Sequence, residues 1–299
     1  MKRFTKIASI AIALSFALTS AFAQNAESEV TEEVSTETSE TQEVQDAQEA
    51  SADGMYTVFS QVFTGGAFKK IEINLLYEDF ILISSGADST MLEIRTNYKE
   101  KFPVVTQDGK NLKVSQTDKK ANTLQGRKCT VKLTLPQNYP PVDFILSVQD
   151  GTAALEPFAA GNIKISASTG SITLEKVKAD KTISVSMGDS TFSASNMEAS
   201  SVSVTGKSGT LNIAKLTVED FSISMDKGTA AFTLTKPFKK ASSLEVGNGS
   251  IVAYMPSGTV FYDTLTVGKG NYRSDFASAS KGPELKAKFG KGTITVTRQ

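Results

Sequence analysis

The 299-residue sequence contains no histidine and no tryptophan, and its single cysteine is Cys129. Without histidine the usual general base and the commonest metal ligand are missing, and any Ser-His-Asp or Cys-His arrangement is excluded. Without tryptophan, the aromatic platform of a sugar-binding cleft would have to come from tyrosine or phenylalanine. A lone cysteine closes no intramolecular disulfide, so packing must hold the fold. Cys129, Val131, Leu133 and Leu135 alternate with Thr130, Lys132 and Thr134. That is a half-buried strand with the thiol on its apolar side. No segment carries a convincing amphipathic-helix pattern, and the one long uncharged run lies at the N-terminus.

That run has the form of an export signal. Met1-Lys2-Arg3 and Lys6 precede the stretch 7–21, followed by Ala21-Phe22-Ala23 before Gln24. A basic start, a short apolar core and small residues at the end predict a signal peptide over 1–23, cleaved between Ala23 and Gln24. The run is shorter than the ~20 residues that span a bilayer, so no transmembrane segment is expected in the mature chain. The expected location is the periplasm or the cell surface. Residues 24–53 carry ten acidic residues, no Lys or Arg, and only Val30, Val34 and Val44 as large apolar residues. Such a segment cannot bury enough surface to offset its ordering entropy, and it reads as a disordered acidic tether. The formal charge of zero conceals an uneven distribution: residues 54–299 hold 29 basic against 22 acidic residues.

From residue 149 onward a turn of small residues recurs. Its middle residues are Gly151, Gly170, Asp189, Gly209, Gly228, Gly249, Gly270 and Gly292, spaced 19 to 22 apart. Between the turns lie apolar pairs two residues apart, among them Ile163/Ile165, Ile183/Val185, Val202/Val204, Leu265/Val267 and Ile294/Val296. Spacing two is the strand period and puts both members of a pair on one face. A period of about twenty residues suits a β-solenoid, predicted here as right-handed with parallel coils over 149–299. The alternative is a β-sandwich of hairpins, with longer strands and less even turns. Residues 54–148 hold strand candidates without a regular period and read as broader coils capping one end of the stack. In this register Ile183 and Val204 point inward, and Ser186 and Ser203 point outward. Glycine at the corners is explained by positive φ, and Asp189, which replaces one of them, is among the residue types that visit that region most readily.

The order Gly66-Ala67-Phe68-Lys69-Lys70-Ile71-Glu72-Ile73, then Leu112-Lys113-Val114, then Val131-Lys132-Leu133-Thr134-Leu135-Pro136, then Gly-Ser/Thr-apolar coils, carries a family likeness. It resembles the bacterial "putative adhesin" domains of unknown function, related to the heads of some autotransporter-like adhesins. The resemblance covers most of 60–299 and implies a β-solenoid at the cell envelope, with no catalytic residues to carry over.

Candidate chemistry is sparse. Thr205-Gly206-Lys207-Ser208 mimics the end of a phosphate loop, but Ser201 stands where that loop needs its first glycine. Glu78-Asp79 and Glu219-Asp220 are adjacent pairs that point to opposite faces of a strand and read as solvated charge. No catalytic, metal or cofactor residue is assigned, and neither a cofactor nor a nucleic-acid partner is expected. Lys207, Lys227, Lys269 and Lys291 occupy nearly the same corner position, with Asn248 among them. Stacked coils would line them into a ridge for an anionic envelope polymer, an envelope protein or the acidic tether itself, or for solubility alone. The last coil runs through Ile294 and Val296 to Gln299 with no residues left for a cap, which predicts self-association or a partner at a C-terminal edge. The expected class is a non-enzymatic binding or scaffold module. Its rival is a carbohydrate-active enzyme on a parallel β-helix, which needs carboxylates from neighbouring coils clustered in one groove.

Overall fold

A computed structural model describes residues 50–98, 100–120 and 126–299. The predicted signal peptide, its cleavage point and nearly all of the acidic tether lie outside the described residues. The chain opens with β1 (Tyr56–Phe63), β2 (Lys70–Leu75), β3 (Asp79–Ser85), β4 (Thr90–Thr96), β5 (Val104–Asp108), β6 (Asn111–Ser115) and β7 (Cys129–Pro136). Next come β8 (Asp143–Val148), β9 (Thr152–Leu155), β10 (Phe158–Ala167), β11 (Ser171–Met187), β12 (Thr191–Glu198), β13 (Ser201–Gly206), β14 (Thr210–Thr217) and β15 (Asp220–Met225). It closes with β16 (Thr229–Leu234), β17 (Ser242–Val246), β18 (Ser250–Met255), β19 (Tyr262–Val267), β20 (Asn271–Ser274), β21 (Glu284–Phe289) and β22 (Thr293–Arg298). The fold is all-β.

The strands stack into two facing ladders. One runs β4, β7, β3, β9, the first part of β11, β12, β14, β16, β18, β22, β20. The other runs β6, β2, β8, β10, the second part of β11, β13, β15, β17, β21, β19. β11 belongs to both because it turns the corner between them. From β8 onward every pairing is parallel; β1–β4, β4–β7 and β5–β6 are the antiparallel pairs. Parallel neighbours joined by turns around a shared interior make a β-solenoid, not a sandwich of hairpins.

Inward side chains form continuous rows. Ile71, Phe144, Ile163, Ile183, Val202 and Phe221 are register neighbours in one ladder, and none is more than 1% exposed. Facing them, Phe80, Ala153, Ile172, Phe192, Leu211, Ala230, Ile251 and Ile294 follow one another in the other ladder. Small residues beside large ones let the rows interdigitate at close-packed density. The predicted register holds: Ile183 and Val204 are buried, and Ser186 and Ser203 are exposed.

Two expectations need correction. The corner glycines do not adopt positive φ; the glycines that do are Gly54, Gly66, Gly109, Gly126 and Gly282. What demands glycine is the stacking itself. A Cβ on Gly151, Gly170, Gly209, Gly228, Gly249, Gly270 or Gly292 would sit 1.8–2.6 Å from a carbonyl oxygen of the adjacent coil. Ser190, not Asp189, stands in that column at the third turn, 1% exposed, its hydroxyl donating to the Ala167 carbonyl at 3.3 Å.

The second correction concerns the C-terminus. The last strand, β22, is not at an edge: it lies between β18 and β20. β21 likewise lies between β17 and β19. The chain goes outward first, lays down the terminal coil β19–β20, and then returns to fill the gap beneath it. Arg298, at the end of β22, sits over the Phe276 ring at 5.1 Å. The N-terminal end is built the same way, with β2–β3 laid first, β6–β7 outside it and β8–β9 returning inside.

Candidate functional site

The corner where the glycines stack is also where the lysines are. Register pairing continues from Gly206 beside Met225, so Lys207 stands beside Asp226, and Ser208 beside Lys227. The column just before the glycines therefore reads, in spatial order, Ser208, Lys227, Asn248, Lys291, Lys269. Lys227, Lys291 and Lys269 share one exposed line, Asn248 interrupts it, and Lys207 is one position out. Backbone bonds from Lys227 N to Lys207 O (2.6 Å) and from Lys291 N to Gly247 O (2.7 Å) fix the spacing. The backbone positions of the lysines are thus held at coil spacing, and the potentials of their charges add along the edge.

Beside this corner lies a shallow groove of about 350 Å³ lined by Met187, Thr205, Lys207, Ser224, Asp226 and Glu245, among others. Lys288, the register neighbour of Glu245 on β21, lies 2.6 Å from its carboxylate. Another groove of about 350 Å³ runs along the opposite corner, past Lys178, Asp180, Glu198, Glu219, Lys236 and Lys239. It brings carboxylates from three successive coils together, the arrangement required of a carbohydrate-active enzyme. Their electrostatics run the other way. Glu198 is paired with Lys178 at 3.0 Å and Glu219 with Lys240 at 2.7 Å, all four exposed. The Lys240 ammonium holds the Glu219 carboxyl below the usual range, whereas a glycosidase acid needs one carboxyl held protonated.

Glu78 overturns its reading as solvated charge. Its side chain is 0% exposed, and the Arg127 guanidinium, 6% exposed, lies 2.9 Å away. The other carboxylate oxygen accepts the backbone N–H groups of Leu76 (2.9 Å) and Tyr77 (3.1 Å). Arg127 also donates to the Lys101 carbonyl at 2.8 Å, and Gln116 donates to the same oxygen at 2.7 Å. Lys101 is the one described non-glycine residue with positive φ, at 58°. This network ties the loops around the outermost N-terminal coil to the glycine corner, where the Glu78 carbonyl is the first oxygen of the column. Within it Arg127 Nε is buried without a hydrogen-bond partner. Asp79 does point the other way and accepts the Thr152 hydroxyl at 2.6 Å.

Cys129 lies in register with Glu78, on the strand expected for it, 5% exposed. Burial first, and then the neighbouring Glu78 charge, push its thiol up to about 12, so thiolate chemistry at neutral pH is disfavoured. Among the described residues no group of three or more His, Cys, Asp or Glu is placed to hold a metal ion. No described helix is long and apolar enough to cross a membrane.

The glycine corner, the returning coils and the inward rows run without a break from Phe68 to the last strand. A family model named Toastrack DUF4097 matches residues 68–298, the same span. The chain belongs to the Toastrack DUF4097 family. Solved structures resemble the chain at low identity. A "putative adhesin" from Bacteroides fragilis is 13% identical over 81% of this chain and 96% of its own, with a TM-score of 0.49. A "putative lipid binding protein" from Parabacteroides distasonis is 12% identical over 80% and 96%, with a TM-score of 0.47. A "putative adhesin" from Parabacteroides merdae is 14% identical over 80% and 95%, also at 0.47. No curated protein matches the chain. The expected domain of unknown function is thus Toastrack DUF4097, and "putative adhesin" is a name carried by some of the similar solved structures. Within this Toastrack domain the residues missed by sequence reasoning are Glu78, Arg127 and the carboxylate groove. The signal for the first pair was faint: a Glu directly before a strand, and an Arg directly before the cysteine strand, with nothing to show that they meet.

Proposed function

We propose that this chain is an exported, non-enzymatic module of the bacterial cell envelope. In this reading a rigid stack of right-handed coils of about twenty residues presents its lysine corner to an anionic polymer. The observation that carries the reading is the fixed line of Lys227, Lys291 and Lys269, with Lys207 beside it, held at coil spacing by backbone bonds. A backbone already fixed adds no backbone ordering entropy when a polyanion lies along it, which leaves only the lysine side chains to be ordered. Export follows from the N-terminal signal, and N-terminal sequencing of secreted material is expected to read from Gln24. Binding to purified teichoic acid or lipopolysaccharide should weaken as salt rises, since exposed charges are screened within ~8 Å at physiological ionic strength. Replacing Lys207, Lys227, Lys269 and Lys291 together by Gln should abolish binding while leaving the melting temperature unchanged. Undiminished binding by that variant would reduce the lysines to a solubility device.

The rival reading, a carbohydrate-active enzyme, has one observation in its favour: Asp180, Glu198 and Glu219 line one groove. It predicts release of reducing ends from an envelope glycan, lost in Glu198→Gln and Glu219→Gln. The lysine pairing of both glutamates supports the non-enzymatic reading instead.

A further inference from the structure

The positive charge of the folded part is concentrated in one place. Residues 95–132, from the end of β4 into β7, hold ten basic residues and three acidic ones. Taking these from the 29 basic and 22 acidic residues of 54–299 leaves 19 of each, so the whole positive balance belongs to this stretch. Hydrogen bonds draw several of its basic residues to one corner of the outermost N-terminal coil. Asn97 N–H donates to the Lys128 carbonyl at 3.2 Å, and Lys128 N–H donates back to Asn97 Oδ1 at 2.7 Å. Lys101 is held to the same corner through its carbonyl, on which Arg127 and Gln116 converge. Gln116 Oε1 accepts the Asp118 N–H at 3.0 Å, which fixes the approach to Lys119. Lys101, Lys119 and Lys128 are exposed, and among the described residues no ion pair uses them. Of the three acids, Glu100 and Asp108 are exposed, and Asp118 accepts the Lys120 N–H at 2.8 Å.

The corner already holds one carboxylate. Arg95, two residues before Asn97, donates to both oxygens of Asp53 at 3.0 and 3.1 Å. Asp53 is the last of the ten acidic residues in 24–53, and the other nine lie in 24–49. We propose that the acidic segment 24–49 docks on this N-terminal corner, with its carboxylates on Lys101, Lys119 and Lys128, and so withholds the corner from other anions. Charge complementarity and the point of attachment select this occupant. Glu49 and Asp46 lie four and seven residues before Asp53, at most ~14 and ~25 Å of extended chain. The line of Lys227, Lys291 and Lys269 starts farther off, because six coil steps of ~4.8 Å, ~29 Å in all, separate Lys128 from Lys227. Exposed ion pairs are individually weak, but attachment to the same chain makes the docking intramolecular. The inference is independent of any polymer bound along the lysine line.

The experiment uses the full chain with a nitroxide spin label on Ser35→Cys, since buried Cys129 is closed to the reagent. Paramagnetic broadening should reach the amides of Asn97, Lys101, Lys119 and Lys128. It should fade at 1 M salt, where the screening length falls to ~3 Å. Changing Lys101, Lys119 and Lys128 together to Gln should remove it, and changing them to Arg should keep it, with the far-UV spectrum unaltered in both. The variant with Gln at Lys207, Lys227, Lys269 and Lys291 should broaden like the parent, which separates this docking from binding on the lysine line. Broadening centred on Gly228, Gly249 and Gly270 would overturn the proposal. So would broadening that survives in the Lys101, Lys119 and Lys128 to Gln variant, or none at this corner in the parent. Spin-labelled chains mixed with isotope-labelled, spin-free ones should leave the latter sharp; broadening there would assign the corner to a second copy instead.

Discussion

The two ends of the stack share one topological device and finish it differently. At each end the terminal coil of the repeat is covered by its neighbour in sequence, β2–β3 by β6–β7 and β21–β22 by β19–β20, so neither terminus of the repeat lies at an edge. At the N-terminal end antiparallel strands and a buried ion pair close the core. At the C-terminal end the outer coil is left with its inward side chains in solvent. Repeat folds gain stability from neighbour contacts, so a coil with one neighbour is held about half as firmly as one with two. The N-terminal end compensates with irregular elements, and the C-terminal end does not. The closed end should therefore behave as part of the cooperative core, and the open end should exchange and fray independently.

The middle of the stack sets the scale for both ends. Ile183→Asp places an unpaired charge in a row with 0% exposure, and should cost more than ~4 kcal/mol and unfold the domain. Ser186→Asp, on the outward face of the same strand, should stay within ~0.5 kcal/mol. Chemical denaturation of the two variants checks this, and equal losses would mean the rows are not dry.

The next effect probes the closed end. Glu78→Gln keeps the shape and can still accept the two backbone bonds, but leaves Arg127 charged and buried without its counter-ion. Breaking a buried pair from one side costs about 3–5 kcal/mol. Asp263→Asn at the open end, where the partner is only the Tyr272 hydroxyl, should be nearly neutral in a monomeric sample. A small loss for Glu78→Gln would mean the N-terminal closure is held by its strands alone.

These contrasts also explain what could be read from the residues beforehand. The inward and outward faces of β11 and β13 were legible because strand alternation is a local property, visible in Ile183-Ser184-Val185-Ser186. The glycine column was legible as a period but not as a cause, since positive φ and close backbone approach leave the same letter in the sequence. The order of the terminal coils was not legible. Tyr262–Val267 and Glu284–Phe289 carry similar alternation, and nothing local says which is laid outside. The one clue is Asp263, a charge in a column that elsewhere holds Ile163, Ile183, Val202 and Phe221. Glu78 and Arg127 are 49 residues apart, and a long-range ion pair leaves no local pattern. The lysine line was legible to within one residue: the chain spacing put Lys207 in the row, and the register moves it beside Asp226.

A third, smaller contrast separates a middle coil from the open one. A Cβ on Gly249 would lie 1.8 Å from the Gly228 carbonyl oxygen, and on Gly270 2.0 Å from that of Gly292. The clash is nearly the same, but the coil carrying Gly270 can lift away from its single neighbour. Gly249→Ala, clamped on both sides, should cost about 3 kcal/mol, the upper range for overpacking, and Gly270→Ala about 1 kcal/mol. Thermal melts of the two variants decide it. Equal losses would show that the terminal coil is as rigid as the middle.

The smallest expected effect is a pH dependence confined to the closed end. The Glu72 carboxyl on β2 is held down to about 2, first by Lys70, then by Asn74 and Lys113. Its contacts are 2.8 Å to the Lys70 ammonium, 2.8 Å to the Asn74 amide, and 3.3 Å to Lys113 across the pair with β6. A carboxyl depressed in the folded state stabilises it fully above the unfolded value, near 4.3, and loses that contribution as pH falls towards about 2. The contribution is modest, because both lysines are more than a third exposed and solvent screens them. Between β19 and β21 the Glu284 carboxylate accepts the Thr264 hydroxyl at 2.9 Å, and among the described residues no ion pair crosses that pair of strands; the exposed Asp275 is lowered mainly by the Thr297 hydroxyl, within the β20–β22 side of the coil. Hydrogen exchange between pH 5 and pH 2.5, corrected for intrinsic rates, should therefore show protection falling at β2 and β6 while β19 and β21 hold steady. Glu72→Gln should flatten the difference by removing the titrating group. If protection at β19 falls in parallel with that at β6, the acid-sensitive contact is shared by both ends, and Glu72 is not its source.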